Sequence, residues 1–267
     1  MPKSRCCKSI HPGGSIMPEL FDIYDRDRVF TGRRAQRGTP LSPGEYRIAV
    51  QVWIGNGSGR WLISRRAPGK RFPGKWEPTG GCVLAGEDSL QAAVREAREE
   101  LGVVLVPESG VLFASFLSDV PSWENPGFLD VWMFRADIPA ENLVLQPEEV
   151  SEARWAAADD IRRMIDSGAF VPCETYAFHQ FLPDCGPLPL AVAIARVKYM
   201  EAVLDRVLAS DDLAAMKHEL AILESYYFGP LWMEDYHADE QGRLPPDLKR
   251  GVLAEDTVYD LFTDTDG

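Results

Sequence analysis

The chain predicts an α/β sandwich on a mixed sheet, followed by a small helical domain, and three observations carry that prediction. Strand-like stretches surround one long amphipathic helical stretch in the first two thirds. A Pro- and Gly-containing segment, PDCGPLP at 183–189, then breaks the pattern. Beyond it the apolar spacing is helical. With 267 residues the chain has room for one large or two modest domains. The expected layout is a tail at 1–17, a catalytic-sized domain at 18–178, a linker at 179–189 and an acidic helical domain at 190–267.

The elements follow in order. ELFDIYD (19–25) is the first segment of folded character, and Met17 just before it is a candidate start of translation. Strands are expected at 46–54 (YRIAVQVWI), 61–64 and 76–77, with GNGSG (55–59) as the hairpin turn between the first two. Leu90, Ala93, Val94, Ala97 and Leu101 recur at three- and four-residue spacing and predict a helix with a buried stripe, stopped by Gly102. Strands at 111–117, 128–138 and 152–157 and a helix near 159–166 complete the domain. Past the linker, Ile194, Val197, Leu204, Val207 and Leu208 mark one helix, and Leu213, Met216, Leu220 and Leu223 a second, capped by Ser210 or Asp211.

The first long helix carries an electrostatic oddity. Glu96, Glu99 and Glu100 share one face at its C-terminal end, with the small Ala92 a turn earlier, so that face reads as sterically open. Like charges at i,i+4 and anions in a last turn each cost about 0.3 to 1 kcal/mol. Arg95 can offset part of this through Glu99, while Arg98 points elsewhere. A hard divalent cation, which prefers carboxylate oxygens, would offset the rest. A solvated charged face is the ordinary meaning of a run such as REAREE, and the flanking residues decide otherwise. Gly81 is followed after five residues by Glu87, then after seven by Arg95-Glu96, Glu99-Glu100, Gly102 and Val103.

That spacing resembles the Nudix box, G-x5-E-x7-R-E-U-x-E-E-x-G-U, with U a bulky aliphatic residue. Only Ala97 departs, being smaller than the usual packing residue. The resemblance implies a Nudix-type α/β/α sandwich and a hydrolase that cleaves a diphosphate linked to another moiety. It implies Mg2+, or Mn2+ in its place, held by Glu96, Glu99 and Glu100, with the Gly81 carbonyl and Glu87 assisting and Arg95 orienting the carboxylates. Glu99 is one candidate general base. Glu148 or Glu149, in the loop before the last strand, is the other, although loop acidity explains that pair equally well.

RRAPGKRFPGK (65–75) is the one dense basic run of an acidic chain, and Arg66 and Lys75, near strand ends, are its candidate phosphate-binding residues. Trp53, Trp76, Phe128 and Trp132 could stack on a base, but strand aromatics are more often core. Asp130 stands alone in an apolar strand as either a pocket residue or an outward-facing one. His11, His179, His218 and His237 are too scattered to suggest a ligand cluster.

A formal charge of -13 argues against a nucleic-acid polymer or an anionic membrane surface as partner. No apolar run reaches the ~18 residues that span a bilayer. The N-terminus lacks the apolar core of a secretory signal, so a cytoplasmic enzyme is expected. Cys6, Cys7, Cys82, Cys173 and Cys185 are odd in number and hold no C-x2-C pair, which points away from a disulfide framework or structural zinc. The expected partner is a small-molecule diphosphate, and a homodimer is compatible with it.

From residue 190 onward seven Lys/Arg face sixteen Asp/Glu. Trp232 and Asp235, with LPPDLKRGVLAED (244–256) and Tyr259-Asp260-Leu261, resemble a small bacterial domain of unknown function whose pattern is W-x-x-D…LP-x-D-L-K-R-GVLSED-x-x-Y-x-L. Ala254 replaces its serine and removes a helix-capping hydroxyl, a loss of about 1 kcal/mol. Two other functions compete. ELFDIYD, GEYRIAVQVWI and KWEPTGG resemble the branch near isopentenyl diphosphate isomerase, but that chemistry needs further histidine and cysteine positions. Arg47 stands where that branch commonly has histidine, and no catalytic role passes to Cys82. A non-catalytic nucleotide sensor with a protein-binding helical domain is the third, opposed by the complete set of glutamates.

Overall fold

A computed structural model describes residues 19–118, 127–183 and 188–263. The tail with Cys6, Cys7 and Met17, and residues 184–187 of the expected linker with Cys185, lie outside the described residues. The chain divides into two compact units: one holds residues up to Leu112 and Ser118–Cys173, the other Phe113–Leu117 and the residues from Glu174 onward.

In the first unit, β1 (Leu20–Tyr24) and β2 (Phe30–Gln36) form an antiparallel hairpin. Only the first of these two strands has a hydrophobic signature, because the second, FTGRRAQ, is exposed along almost its whole length. The main sheet is mixed. Its centre is β3 (Arg47–Gly55), antiparallel to β4 (Arg60–Arg66) at one end and parallel to β8 (Gly127–Arg135) over nine residues. β5 (Trp76–Glu77) pairs with β4, and β6 (Thr79–Cys82) pairs with β3. β7 (Val111–Ser118) comes between the long helix and β8, and β9 (Val150–Ala157) pairs antiparallel with β4. The GNGSG turn is built on Asn56, whose Oδ1 accepts from the Ser58 and Arg60 amides at 3.0 Å. β8 stops at Arg135, short of the expected 138, as the chain turns through Pro139 into a 3-10 turn at Ala140–Asn142.

The long helix, α1, spans Ser89–Leu101. Asp88 and Gln91 close a capping box, and Gly102 adopts φ 69° so that its amide and the next reach back to Arg98 and Ala97 carbonyls. Ala92, Ala93, Ala97 and Leu101 are buried, whereas Leu90 and Val94 are only half-buried. Ala92 therefore belongs to the packed face, and the expectation of an open acidic face is corrected. Small residues let the helix sit close to the sheet and carry its glutamates with it. α2 (Ala158–Asp166) follows β9.

The second unit is mainly helical: α3 (Leu188–Leu208), α4 (Lys217–Tyr227), α5 (Pro230–Glu240) and α6 (Glu255–Thr263). The expected second helix is split into a 3-10 turn (Leu213–Met216) and α4, and its cap is Asp212, which accepts from the Ala215 amide, not Ser210 or Asp211. Arg196 and Asp235, both buried, form a two-point ion pair at 2.7 Å, and the Tyr226 hydroxyl donates to the same carboxylate at 2.8 Å. Trp232 Nε1 donates to the Val252 carbonyl, and Arg250 pairs with Asp239. The residues of the W-x-x-D and LKR pattern thus hold this unit together. No helix among the described residues is long and apolar enough to cross a membrane.

Candidate functional site

Strand alternation and register assemble the site. Thr79, Val52 and Trp132 stand in one cross-strand row, and Gly81, Val50 and Asp130 in the next. Both rows face α1. Thr79 Oγ1 donates to Glu100 Oε2 at 2.5 Å, and Trp132 Nε1 donates to Ser89 Oγ at 3.0 Å. A methyl group at Gly81 would lie 2.1 Å from Glu96 Oε1, so the missing side chain is what admits that carboxylate.

Arg95 is the hub. Its Nε and Nη2 donate to the two oxygens of Glu87 at 2.8 and 3.0 Å, Nη1 donates to Glu96 at 2.9 Å and Glu99 at 3.1 Å, and Nη2 also reaches the Cys82 carbonyl. Burial works against its charge, but the bonds and fields of Glu87 and Glu96 more than offset this and hold the guanidinium well above its ordinary value. The oddity of the helix is therefore answered in part within the chain: one guanidinium binds Glu87, Glu96 and Glu99.

Glu100 lies outside that arrangement. Burial first, and the Glu96 charge second, push its carboxyl up to about 8, with the Thr79 hydroxyl pulling the other way. Burial likewise raises Glu96, against the pull of Arg95. Glu99 is half-exposed. These groups fit a divalent cation by their chemistry: all are hard oxygen donors, and two carboxyls are crowded into a space where ionisation is disfavoured. Among the described residues no three Asp, Glu, His or Cys side chains are grouped so as to hold a metal ion.

A second charged group stands beside Glu100. Arg66 Nη1 pairs with Glu77 Oε1 at 2.5 Å, and Lys70 pairs with the buried Glu149. Both Glu77 and Glu149 act on Glu100 electrostatically, so Glu149 does lie near the cluster. Burial raises Glu77 despite Arg66. Lys75 is directed elsewhere, its Nζ donating to the Gly168 carbonyl at 2.7 Å. The sequence does not single out Glu77, and it marks Lys70 only as one member of the basic run. Period-two alternation through Glu77, Thr79 and Gly81 is the signal that could have found the first; Lys70 has none beyond the basic run. Asp130 is fully buried and bound at two points by Arg28, at 2.8 and 2.5 Å, which rules out the outward-facing alternative. Trp53, Trp76 and Phe128 are core, as expected.

Comparison with known proteins extends this picture. A NUDIX domain model matches residues 45–172, and a model described as a domain of unknown function (DUF4298) matches residues 195–267. An uncharacterized Nudix hydrolase of Listeria monocytogenes is 34% identical over 157 residues, which cover 58% of this chain and 89% of the relative. One of Streptomyces coelicolor is 39% identical over 173 residues, covering 64% and 77%. A Deinococcus radiodurans crystal structure matches with a TM-score of 0.50 at 24% identity, covering 61% of this chain and 99% of that one, a likeness of fold.

Proposed function

Because the chain belongs to the NUDIX hydrolase family, we propose that it hydrolyses a diphosphate linkage in a nucleoside diphosphate derivative or similar small molecule, with Mg2+ (or Mn2+) as its metal. The observation that carries this is the placement of Glu96 against Gly81, with Arg95 tying Glu96 and Glu99 to Glu87. Glu96, Glu99 and Glu100, assisted by the Gly81 carbonyl and Glu87, would hold the cation. What a bound cation supplies is charge neutralisation on the phosphate oxygens and a more acidic water.

The chain's own residues divide the remaining work. Arg95 fixes the carboxylates and spares them the entropy of ordering at each turnover. Glu99 is the better base, since its carboxylate is half-exposed and within reach of water, whereas Glu149 is buried and engaged by Lys70. Arg66 and Lys70 are drawn toward an incoming diphosphate, whose charge competes with Glu77 and Glu149 for them. Lys75 can join only by leaving Gly168, so its substitution is expected to matter less than that of Arg66.

Product release from nucleotide sugars, dinucleoside polyphosphates, nucleoside triphosphates and isopentenyl diphosphate tests the reading. Metal-dependent cleavage of one class by wild type, lost in Glu99→Gln and retained in Glu149→Gln, is the expected result. Binding without turnover of any compound would favour the sensor, and isomerisation of isopentenyl diphosphate the isomerase.

A further inference from the structure

A cleft of about 440 Å3 opens between β9 and α2, wholly within the first unit. β9 lends it Arg154, and α2 lends it Asp160, Arg163 and Met164, with Ser167 just past the end of that helix. The three- and four-residue steps from Asp160 to Ser167 put these groups on one face of α2. Register places the cleft behind the sheet from the carboxylate cluster. Leu62 and Ser64 of β4 stand with Ile54 and Glu77 on the side of α1, which leaves Ile63 and Arg65 on the other side. Arg154 is paired with Ile63, and Trp76 with Arg65, so both point away from the glutamates of α1.

Arg154 is exposed, yet it is held in place. Its guanidinium lies 4.4 Å from the centroid of the Trp76 ring, and Nη2 lies 3.6 Å from Met164 Sδ. A thioether is a weak acceptor for a group with five N–H donors, and among the described residues no oxygen accepts from this side chain. Stacking on an indole fixes the plane of the guanidinium and leaves its edge for a ligand. Arg163 is the second cation of the cleft. It pairs with Asp160, and both side chains are at least half-exposed, so an anion can displace that pair at little cost.

We propose that this cleft binds a phosphate group, free or as the monoester of a small molecule, at a site separate from the hydrolytic centre. A phosphate presents enough oxygens to take the edge of Arg154 and the fork of Arg163 together, whereas the two oxygens of a carboxylate match one guanidinium. Ser167 Oγ donates to the Met164 carbonyl at 3.2 Å and keeps its lone pairs for a hydroxyl of the ester. The cleft has the volume of a small-ligand site. Arg154 and Arg163 against Asp160 make it cationic on a chain whose formal charge is -13. The site stands whether or not the carboxylate cluster hydrolyses a diphosphate.

Arginine labelling by phenylglyoxal, read by peptide mass on the full chain in EDTA, tests this. Peptide mass separates Arg154 and Arg163 from Arg66 beside the carboxylates, and exposed Arg135 serves as the comparator. The probes are inorganic phosphate, glucose 1-phosphate and glycerol 3-phosphate, with acetate at matched ionic strength. At about 10 mM, phosphate or an ester is expected to slow Arg154 labelling about tenfold, as a Kd of about 1 mM requires, with Arg135 unchanged. Protection by phosphate alone assigns the cleft to the free ion, and stronger protection by an ester assigns it to the monoester. Arg163→Gln should reduce the protection of Arg154 at least about threefold, and Asp160→Asn, which frees Arg163, should increase it. Equal slowing by acetate, no slowing by any probe, or protection unchanged in Arg163→Gln would overturn the proposal.

Discussion

Replacing Glu100 by glutamine should flatten the pH dependence of stability of the metal-free protein. The carboxyl sits at about 8 in the folded chain against an ordinary 4.5. Between those values the unfolded chain is ionised there while the folded chain keeps its proton, so folding takes up a proton and stability falls as pH rises. The full contribution is present below 4.5 and is lost on passing 8. At about 1.36 kcal/mol per pH unit, the stretch from about pH 5.5 to 8 amounts to roughly 3 kcal/mol. For a chain of this size that is about 6 to 12 °C in Tm. Glutamine keeps the shape and the acceptor for Thr79 but never ionises. Thermal unfolding in EDTA from pH 5.5 to 8.5 should therefore show wild type losing about that much relative to Glu100→Gln, and Mg2+ added at pH 8 should restore more of the Tm in wild type than in the variant. Parallel Tm profiles, with equal gains from Mg2+, would refute the claim that burial and Glu96 hold this carboxyl protonated.

Three further substitutions test other parts of the structure. Arg95→Lys keeps the charge but gives up the fork that binds Glu87 at two points and Glu96 and Glu99 beside it; kcat should fall about 10- to 100-fold, against a stability loss of about 1 to 3 kcal/mol by denaturant unfolding. Gly81→Ala places a methyl group 2.1 Å from Glu96 Oε1, so Glu96 must swing away, and turnover should drop at least about 100-fold with secondary structure retained by circular dichroism. Asp235→Asn in the second unit takes the two-point carboxylate from the buried Arg196 guanidinium and should cost about 3 kcal/mol, read as a lower urea midpoint, whereas a ligand-binding role alone would leave the midpoint unchanged.

Much of the fold was legible because its signals are local. The stripe of α1, its Gly102 stop, the β3–β4 turn and the box spacing each depend on residues close in sequence. What escaped depends on distance or on exposure. β2 has no apolar alternation to read, since its pairing with β1 leaves it almost wholly exposed. α5 holds its place through side chains whose partners lie elsewhere in the second unit, Trp232 on Val252 and Asp239 on Arg250. The site divides along the same line. Helical periodicity places Glu96, Glu99 and Glu100 on a common face, but it cannot tell which is tied and which is left protonated. That distinction arises between strands, where Thr79 and Glu77 meet Glu100 from β6 and β5. Arg95 shows why the difference matters. Periodicity gives it one partner, Glu99, whereas the fold gives it Glu87, Glu96 and a backbone carbonyl as well. A guanidinium so engaged neutralises about one charge of the three it touches, and the remaining negative charge is what a divalent cation would be bound to satisfy.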